Sequence, residues 1–324
     1  MTALLAVRGL AIEFTTGDGI VAAVQDASLD IERGEITALV GESGCGKSAT
    51  ALAILRLIPD PPGRITGGEI LFEGRDVLKL AQEEMRALRG DRIAMIFQEP
   101  MTSLNPVHTI GRQVAEPLVV HKKPGAHAAL ARSIDLLASV NIADPRRRAG
   151  AYPHQFSGGM RQRVMIAMAM GCAPDLVIAD EPTTALDVTI QAQLLDLLSA
   201  QVEQHRTALL LITHNLGVVA RYANRVHVMY AGRIVESASA DALYAHPRHP
   251  YTIGLLHSVP RLDRPIAEKL VPIEGQPPDP RHLPPGCAFH PRCRFALDAC
   301  RAAVPPLRPV ADGHSVACIR DVDG

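Results

Sequence analysis

The sequence contains no tryptophan, and aromatic residues make up only 3% of its 324 positions. Its core must therefore be aliphatic, drawn from the Ala, Leu, Ile and Val that dominate an apolar fraction of 47%. No apolar run reaches the roughly 18 residues that cross a bilayer. Met1-Thr2-Ala3-Leu4-Leu5 also lacks the basic lead and cleavage site of a signal peptide, so the expectation is a chain that stays in the cytoplasm. A formal charge of −1 shows no excess of either sign and gives no reason to expect a nucleic-acid partner. Cysteine is sparse in the body, with Cys45 and Cys172 alone, whereas Cys287, Cys293, Cys300 and Cys318 crowd the end. In a reducing compartment four clustered thiols suggest metal more than disulfides. The length exceeds that of a usual single domain, so one large α/β domain with an appendage is expected.

What is present centres on Gly41-Glu42-Ser43-Gly44-Cys45-Gly46-Lys47-Ser48. The apolar run Ile36 to Val40 precedes it and the helix-forming run Ala49 to Leu55 follows, giving strand, glycine loop and helix. Glycines let successive backbone N–H groups curl round phosphate oxygens at a positive helix end. Lys47 would reach the β and γ phosphates, and Ser48 would ligate Mg²⁺. The stretch reads as a cradle for a nucleoside triphosphate such as ATP.

Leu4 to Phe14 and Val21 to Ile31 alternate as strands of an antiparallel sheet, and Phe14 offers a flat face for a base, although an ordinary strand aromatic fits as well. Gly68 to Gly74 reads as a hairpin. Ile93 to Phe97 is a buried strand, with Gln98 at its tip able to meet Mg²⁺ or an attacking water. Ile110 to Ala143 has a helical pattern, interrupted at Pro117 and again at His121 to Gly125. Arg146-Arg147-Arg148 reads as a solvated helix end.

Ser157 is placed to cap the helix Arg161 to Gly171, while Gly158 and Gly159 bare backbone N–H groups at its positive end as a second anion site. Leu176 to Ala179 is a buried strand that delivers Asp180 and Glu181 at its tip. Asp180 suits Mg²⁺ held through water, and Glu181 suits a base for the attacking water. Thr183 to Asp187 turns into an amphipathic helix, Val188 to Gln204. Ala208 to Thr213 repeats the buried-strand pattern and ends on His214, a donor for a γ phosphate. Val226 to Tyr230 and Arg233 to Ser237 form a closing hairpin.

In order and spacing these motifs resemble the ATPase subunit of ABC transporters over residues 1 to about 240. The matching stretches are Walker A at Gly41 to Ser48, the Q-loop at Gln98, and the signature Ser157-Gly158-Gly159-Met160-Arg161-Gln162-Arg163. Walker B ending at Asp180, then Glu181, the D-loop Ala185-Leu186-Asp187 and His214 complete the set. Met160 stands where the family usually has Gln. The resemblance implies a P-loop NTPase (RecA-like) α/β core with an antiparallel β subdomain and an α-helical insert at about 100–155. It also implies a head-to-tail dimer in which each ATP lies between one P-loop and the partner's signature helix, with Mg²⁺ held through Ser48, Gln98 and Asp180.

Phe97 to Pro106, His246 to Thr252 and Gly275-Gln276-Pro277-Pro278 are narrower markers, similar to subunits of dipeptide and oligopeptide importers. Residues 241–324 hold 14 of the 25 prolines and would form that subfamily's C-terminal extension. This implies partners in two membrane-spanning permease subunits, a second ATPase subunit and, indirectly, an extracytoplasmic solute-binding protein. The insert would be the docking face, and the place of work the inner face of the cytoplasmic membrane. Nickel importers and ABC ATPases that act without a membrane are the alternatives. The tail spacing C-x5-C-x6-C-x17-C does not itself name a metal. The resemblance favours a [4Fe–4S] cluster on Cys287, Cys293, Cys300 and Cys318 over Zn²⁺ or unmetallated thiols.

Overall fold

The computed structural model describes residues 3–99, 103–122, 125–183, 187–258 and 272–322. They form two compact units, one comprising Met1–Glu32, Ile36–Leu78 and Thr213–Gly324, the other Arg33–Glu35 and Lys79–Ile212.

The first unit contains an antiparallel sheet in the order β2 (Gly19–Ile31), β1 (Leu5–Thr16), β4 (Gly63–Phe72), β5 (Arg75–Asp76). The hairpin expected at Gly68 to Gly74 is in fact the end of a ten-residue strand, turning at Glu73-Gly74 into two residues of β5. Its first half escapes a periodicity reading because it is Gly-rich and pairs with β1 across register shifts. The same unit holds β3 (Ile36–Val40), which pairs in parallel with β9 (Arg225–Tyr230). The hairpin partner β10 (Arg233–Ser239) follows, then tail strands β12 (His314–Val316) and β11 (Arg308–Ala311). The tail thus extends the sheet that carries β3.

Packing makes the same join. Val40 of β3, Val228 and Tyr230 of β9, Tyr251 and tail residue Phe289 share one buried cluster. Most of the largest fully buried side chains are aliphatic, as composition requires, but Tyr251 is 0% exposed. Its ring lies 4.6 Å from Tyr230 and 5.4 Å from Phe289, between centroids. Beneath them the Glu236 carboxylate, 0% exposed, accepts hydrogen bonds from the Arg248 and His249 amides and pairs with His314 Nε2 at 2.8 Å. A buried carboxylate is tolerable only with partners of this kind.

The second unit is built on three parallel strands, β6 (Ile93–Ile96), β7 (Leu176–Asp180) and β8 (Ala208–Thr213), with β7 central and buried throughout. Strand β6 stops one residue short of Phe97, which is 39% exposed. Helices Ile110–His121 and Ala126–Ser139 follow the predicted pattern, except that Pro117 lies inside the first without ending it. The first of these helices ends at His121 and the second begins at Ala126. Arg146, Arg147 and Arg148 occupy a short helix, Pro145–Ala149, with Arg148 over the Phe156 ring.

At the opposite end of the strands from the motif residues, the Asp175 carboxylate accepts from Arg33 at 3.0 Å and from Arg92, and its carbonyl accepts from Ala208 N. Burial raises the Asp175 pKa, but the two arginines outweigh burial and hold it below the ordinary 3.8. Such a group stabilises the fold above the unfolded pKa of about 3.9, and the contribution is lost as pH falls through the folded value. Asp175→Asn should therefore lower the urea midpoint at pH 7, with the gap between parent and variant closing below about pH 4.

Candidate active site

In the first unit the loop leaving β3 enters the helix Lys47–Ile54 through Gly46, its N-cap at φ +110°. Lys47 is buried, and its Nζ donates to the carbonyls of Gly41 at 2.8 Å and Glu42 at 3.0 Å. The ammonium is thus folded back on its own loop, within reach of whatever the loop encloses. A Cβ at Gly41 would lie 2.2 Å from the Met229 carbonyl oxygen, and one at Gly46 would lie 2.5 Å from that of Ala23. Those two positions accept only glycine. Ser43, Gly44 and Ser48 are exposed, while Cys45 is buried and its thiol pKa is raised by that burial. The Cys45 carbonyl accepts from Gly232 N, which ties the loop to the β9–β10 turn.

Phe14, half-buried on β1, faces Gly63, where an added Cβ would come within 2.7 Å of its ring. His214 is exposed just beyond β8 and beside Asn215, which caps the helix Leu216–Tyr222.

The second unit carries the remaining motif residues. Gln98 Nε2 donates to Glu181 Oε2 at 3.2 Å, so the tips of β6 and β7 bring these two side chains together. Asp180 is buried at 5% exposure as the last residue of β7, and Glu181 follows at φ +45°. Ser157 caps the helix Gly158–Met170 as expected, its hydroxyl accepting from Met160 N at 3.4 Å. The helix starts three residues earlier than its sequence pattern suggests, so Gly158 and Gly159 lie in its first turn with their N–H groups at the positive end. Asp187 caps the helix Val188–His205 by accepting from Ile190 N. Ala185 and Leu186 of the D-loop, and Pro100 to Thr102 of the importer-like stretch, lie outside the described residues.

Two contacts at the glycine loop have no sequence forerunner. Tyr251 Oη accepts from Glu42 N at 2.8 Å, and Arg292 grips the Glu42 carboxylate with both terminal nitrogens, at 2.7 and 3.0 Å. Tyr251 falls in a stretch already noted as an importer marker, but nothing in its spacing points at the loop.

In the tail, Cys287, Cys293, Cys300 and Cys318 are all free thiols lining one cavity, whose other walls include Phe289, Phe295, Pro305 and Ile319. Burial raises the thiol pKa of Cys287, Cys293 and Cys318. Among the described residues no three His, Cys, Asp or Glu are grouped to hold a metal ion, and no helix is long and apolar enough to cross a membrane.

A loop of this geometry, a capped glycine helix and an acidic strand tip are the parts of a P-loop ATPase, and comparison with known proteins agrees. The ABC transporter family pattern matches residues 24–184, and that of the oligopeptide/dipeptide transporter C-terminal region matches 235–300. A probable peptide ABC transporter ATP-binding protein of Sinorhizobium fredii is 51% identical, the match covering 98% of this chain and 95% of that one. The dipeptide transport ATP-binding protein DppD of Bacillus subtilis is 50% identical over 98% of this chain and 95% of its own length. Among solved structures, the dimeric ATP-binding cassette MJ0796, bound to ADP and Pi, superposes with a TM-score of 0.65 at 26% identity. That match covers 73% of this chain and 98% of MJ0796. The chain belongs to the ABC transporter family, as one of its ATP-binding, ATP-hydrolysing subunits.

Gly46→Ala should abolish ATP binding while leaving a folded chain, because the added methyl meets a backbone carbonyl and an unfavourable φ. Titration with a fluorescent ATP analogue, with circular dichroism as the fold control, reads this outcome.

Proposed function

We propose that this subunit powers the import of dipeptides or oligopeptides across the cytoplasmic membrane. The observation that carries the reading is identity of 50–52% over 98% of this chain, tail included, to relatives named as peptide, dipeptide or oligopeptide transport or import ATP-binding proteins. A nickel or other small-solute importer is the nearest rival, and the matched oligopeptide/dipeptide C-terminal region speaks against it. The subunit works peripherally, on the inner face of the membrane, with two permease subunits and a second ATPase as partners. An extracytoplasmic binding protein supplies the solute, and residues 100–155 form the docking face. Isolation of the intact complex with its permeases, rather than with ribosomes or DNA, tests the assignment, as does peptide-stimulated ATP hydrolysis in membranes.

Within that reading Gly41 to Ser48 wrap the triphosphate, Lys47 neutralises its terminal charge, and Phe14 stacks on the base. Mg²⁺, bound through Ser48, Gln98 and Asp180, would offset charge on the phosphate oxygens. Glu181 takes the proton of the attacking water, and Gln98, already hydrogen-bonded to it, orients that water. His214 donates to the γ phosphate. Ser157, Gly158, Gly159 and Met160 offer backbone donors to the partner's ATP, so Met160 in place of the usual Gln leaves that role to the main chain. Asp187, at the D-loop's end, meets the partner. A positioned base contributes about 10²–10⁴-fold. Glu181→Gln should lose ATP turnover by that factor with ATP affinity retained, as steady-state phosphate release and nucleotide titration would report.

The four tail cysteines suit a [4Fe–4S] cluster. They face a single cavity with apolar walls and form no disulfide. A cluster spreads its four thiolates over separate irons, wider than the tetrahedron around one zinc. Its positive irons would offset the burial that otherwise keeps these thiols protonated. Bound there, it would staple a proline-rich segment with little core of its own. Anaerobically purified protein should contain iron and acid-labile sulfide in equal amounts, both reduced in Cys293→Ser; parent protein lacking both would refute the cluster.

A further inference from the structure

Among the described residues the C-terminal tail meets the nucleotide loop at Glu42 and holds that residue's amide and carboxylate. Its amide donates to Tyr251 Oη, its carbonyl accepts from Lys47 Nζ, and its carboxylate is held by Arg292 through both terminal nitrogens. Glu42 needs no side chain for phosphate binding, since the loop works through backbone N–H groups. The carboxylate therefore answers to the tail rather than to the nucleotide.

Arg292 is built for this contact. Its side chain is 6% exposed, against 25% for Glu42, and its guanidinium lies 5.9 Å from the centroids of both Tyr230 and Phe289. The same group donates to Tyr230 Oη at 3.3 Å and, through Nε, to the Glu274 carbonyl at 3.1 Å. A bidentate pair with its remaining donors satisfied is the geometry in which an ion pair fixes direction as well as distance. The segment that presents Arg292 is held by its own hydrogen bonds: Cys293 N donates to the His290 carbonyl and Arg292 N to that of Phe289, whose ring is in the core.

Tyr251 supplies the second hold. It is 0% exposed, and burial, with the Glu42 charge adding to it, raises its phenol pKa well above the ordinary value. The neutral phenol oxygen is therefore a permanent acceptor for Glu42 N. His249, buried and with its pKa lowered to about 4 by that burial, keeps a free lone pair on Nδ1 to accept from Tyr251 N at 3.1 Å.

We propose that Arg292 is a positioning residue for ATP binding: through Glu42 the C-terminal extension holds the glycine loop, and with it the carbonyl that orients Lys47, in the nucleotide-ready conformation. A loop already set in that shape binds without an ordering cost. If the clamp's loss leaves it competent a tenth of the time, apparent ATP affinity falls about tenfold. The proposal rests on the loop being the ATP site, which ATP turnover by the parent protein tests by itself.

The experiment measures KM for ATP and kcat for full-length Arg292→Met, Glu42→Gln and the double variant. Expected are a KM raised about tenfold in each single variant, kcat within about twofold of the parent in Arg292→Met, and a double variant no worse than either single one. Unchanged KM in a folded, ATP-hydrolysing Arg292→Met protein overturns the proposal. So do multiplying effects in the double variant, or a loss confined to kcat. Should Arg292→Met fail to fold, Arg292→Lys enters the same cycle, because it keeps the charge and the stem but loses the two-pronged grip. A raised KM there supports the clamp, and a parental KM overturns it.

Discussion

A loop that binds phosphate with its main chain must hold its amides convergent before any phosphate arrives, and here the surrounding backbone enforces that shape. Gly41 at φ +156° and Gly46 at φ +110° fit against carbonyls of β9 and β2 so closely that a side chain at either place would force the backbone to shift. The Cys45 carbonyl is tied to Gly232 between β9 and β10, and Lys47 is tied back to Gly41 and Glu42. The loop is thus a surface feature with an interior's constraints. Its conformation depends on strands far away in sequence, and those depend on the buried cluster they share with Tyr251 and Phe289.

That dependence changes the meaning of the tail. The segment after residue 240 contributes a strand pair to the sheet that carries β3, a phenylalanine to its core and a guanidinium to its loop. A proline-rich stretch whose four cysteines line one small cavity has few other means of holding its shape, and it spends that shape on a buried arginine. The cassette and its extension are mechanically one piece at this point, although they match two separate family patterns.

Much of this was legible in the sequence because the chemistry is local. Glycine spacing, four apolar residues ending in Asp180-Glu181, and Ser157 before two glycines each specify their own geometry within a few residues. Helix and strand identities followed from period, and the errors lay where period is silent. The first half of Gly63–Phe72 is glycine-rich and paired through irregular register. Pro117 is tolerated within a helix because its neighbours still favour one. The contacts that could not be foreseen join residues 209 or 250 positions apart, Tyr251 and Arg292 to Glu42. No spacing rule reaches that far, and composition hinted only that a buried aromatic would be unusual here.

Glu236 carries a practical consequence for anyone shortening such proteins. Its carboxylate lies wholly inside the fold, and of its three partners one, His314, arrives from the last tail strand while the others are amides just past residue 240. A cassette cut after residue 240 would keep the acid and discard these partners. What looks like a removable appendage stands, for that one side chain, in the place of solvent.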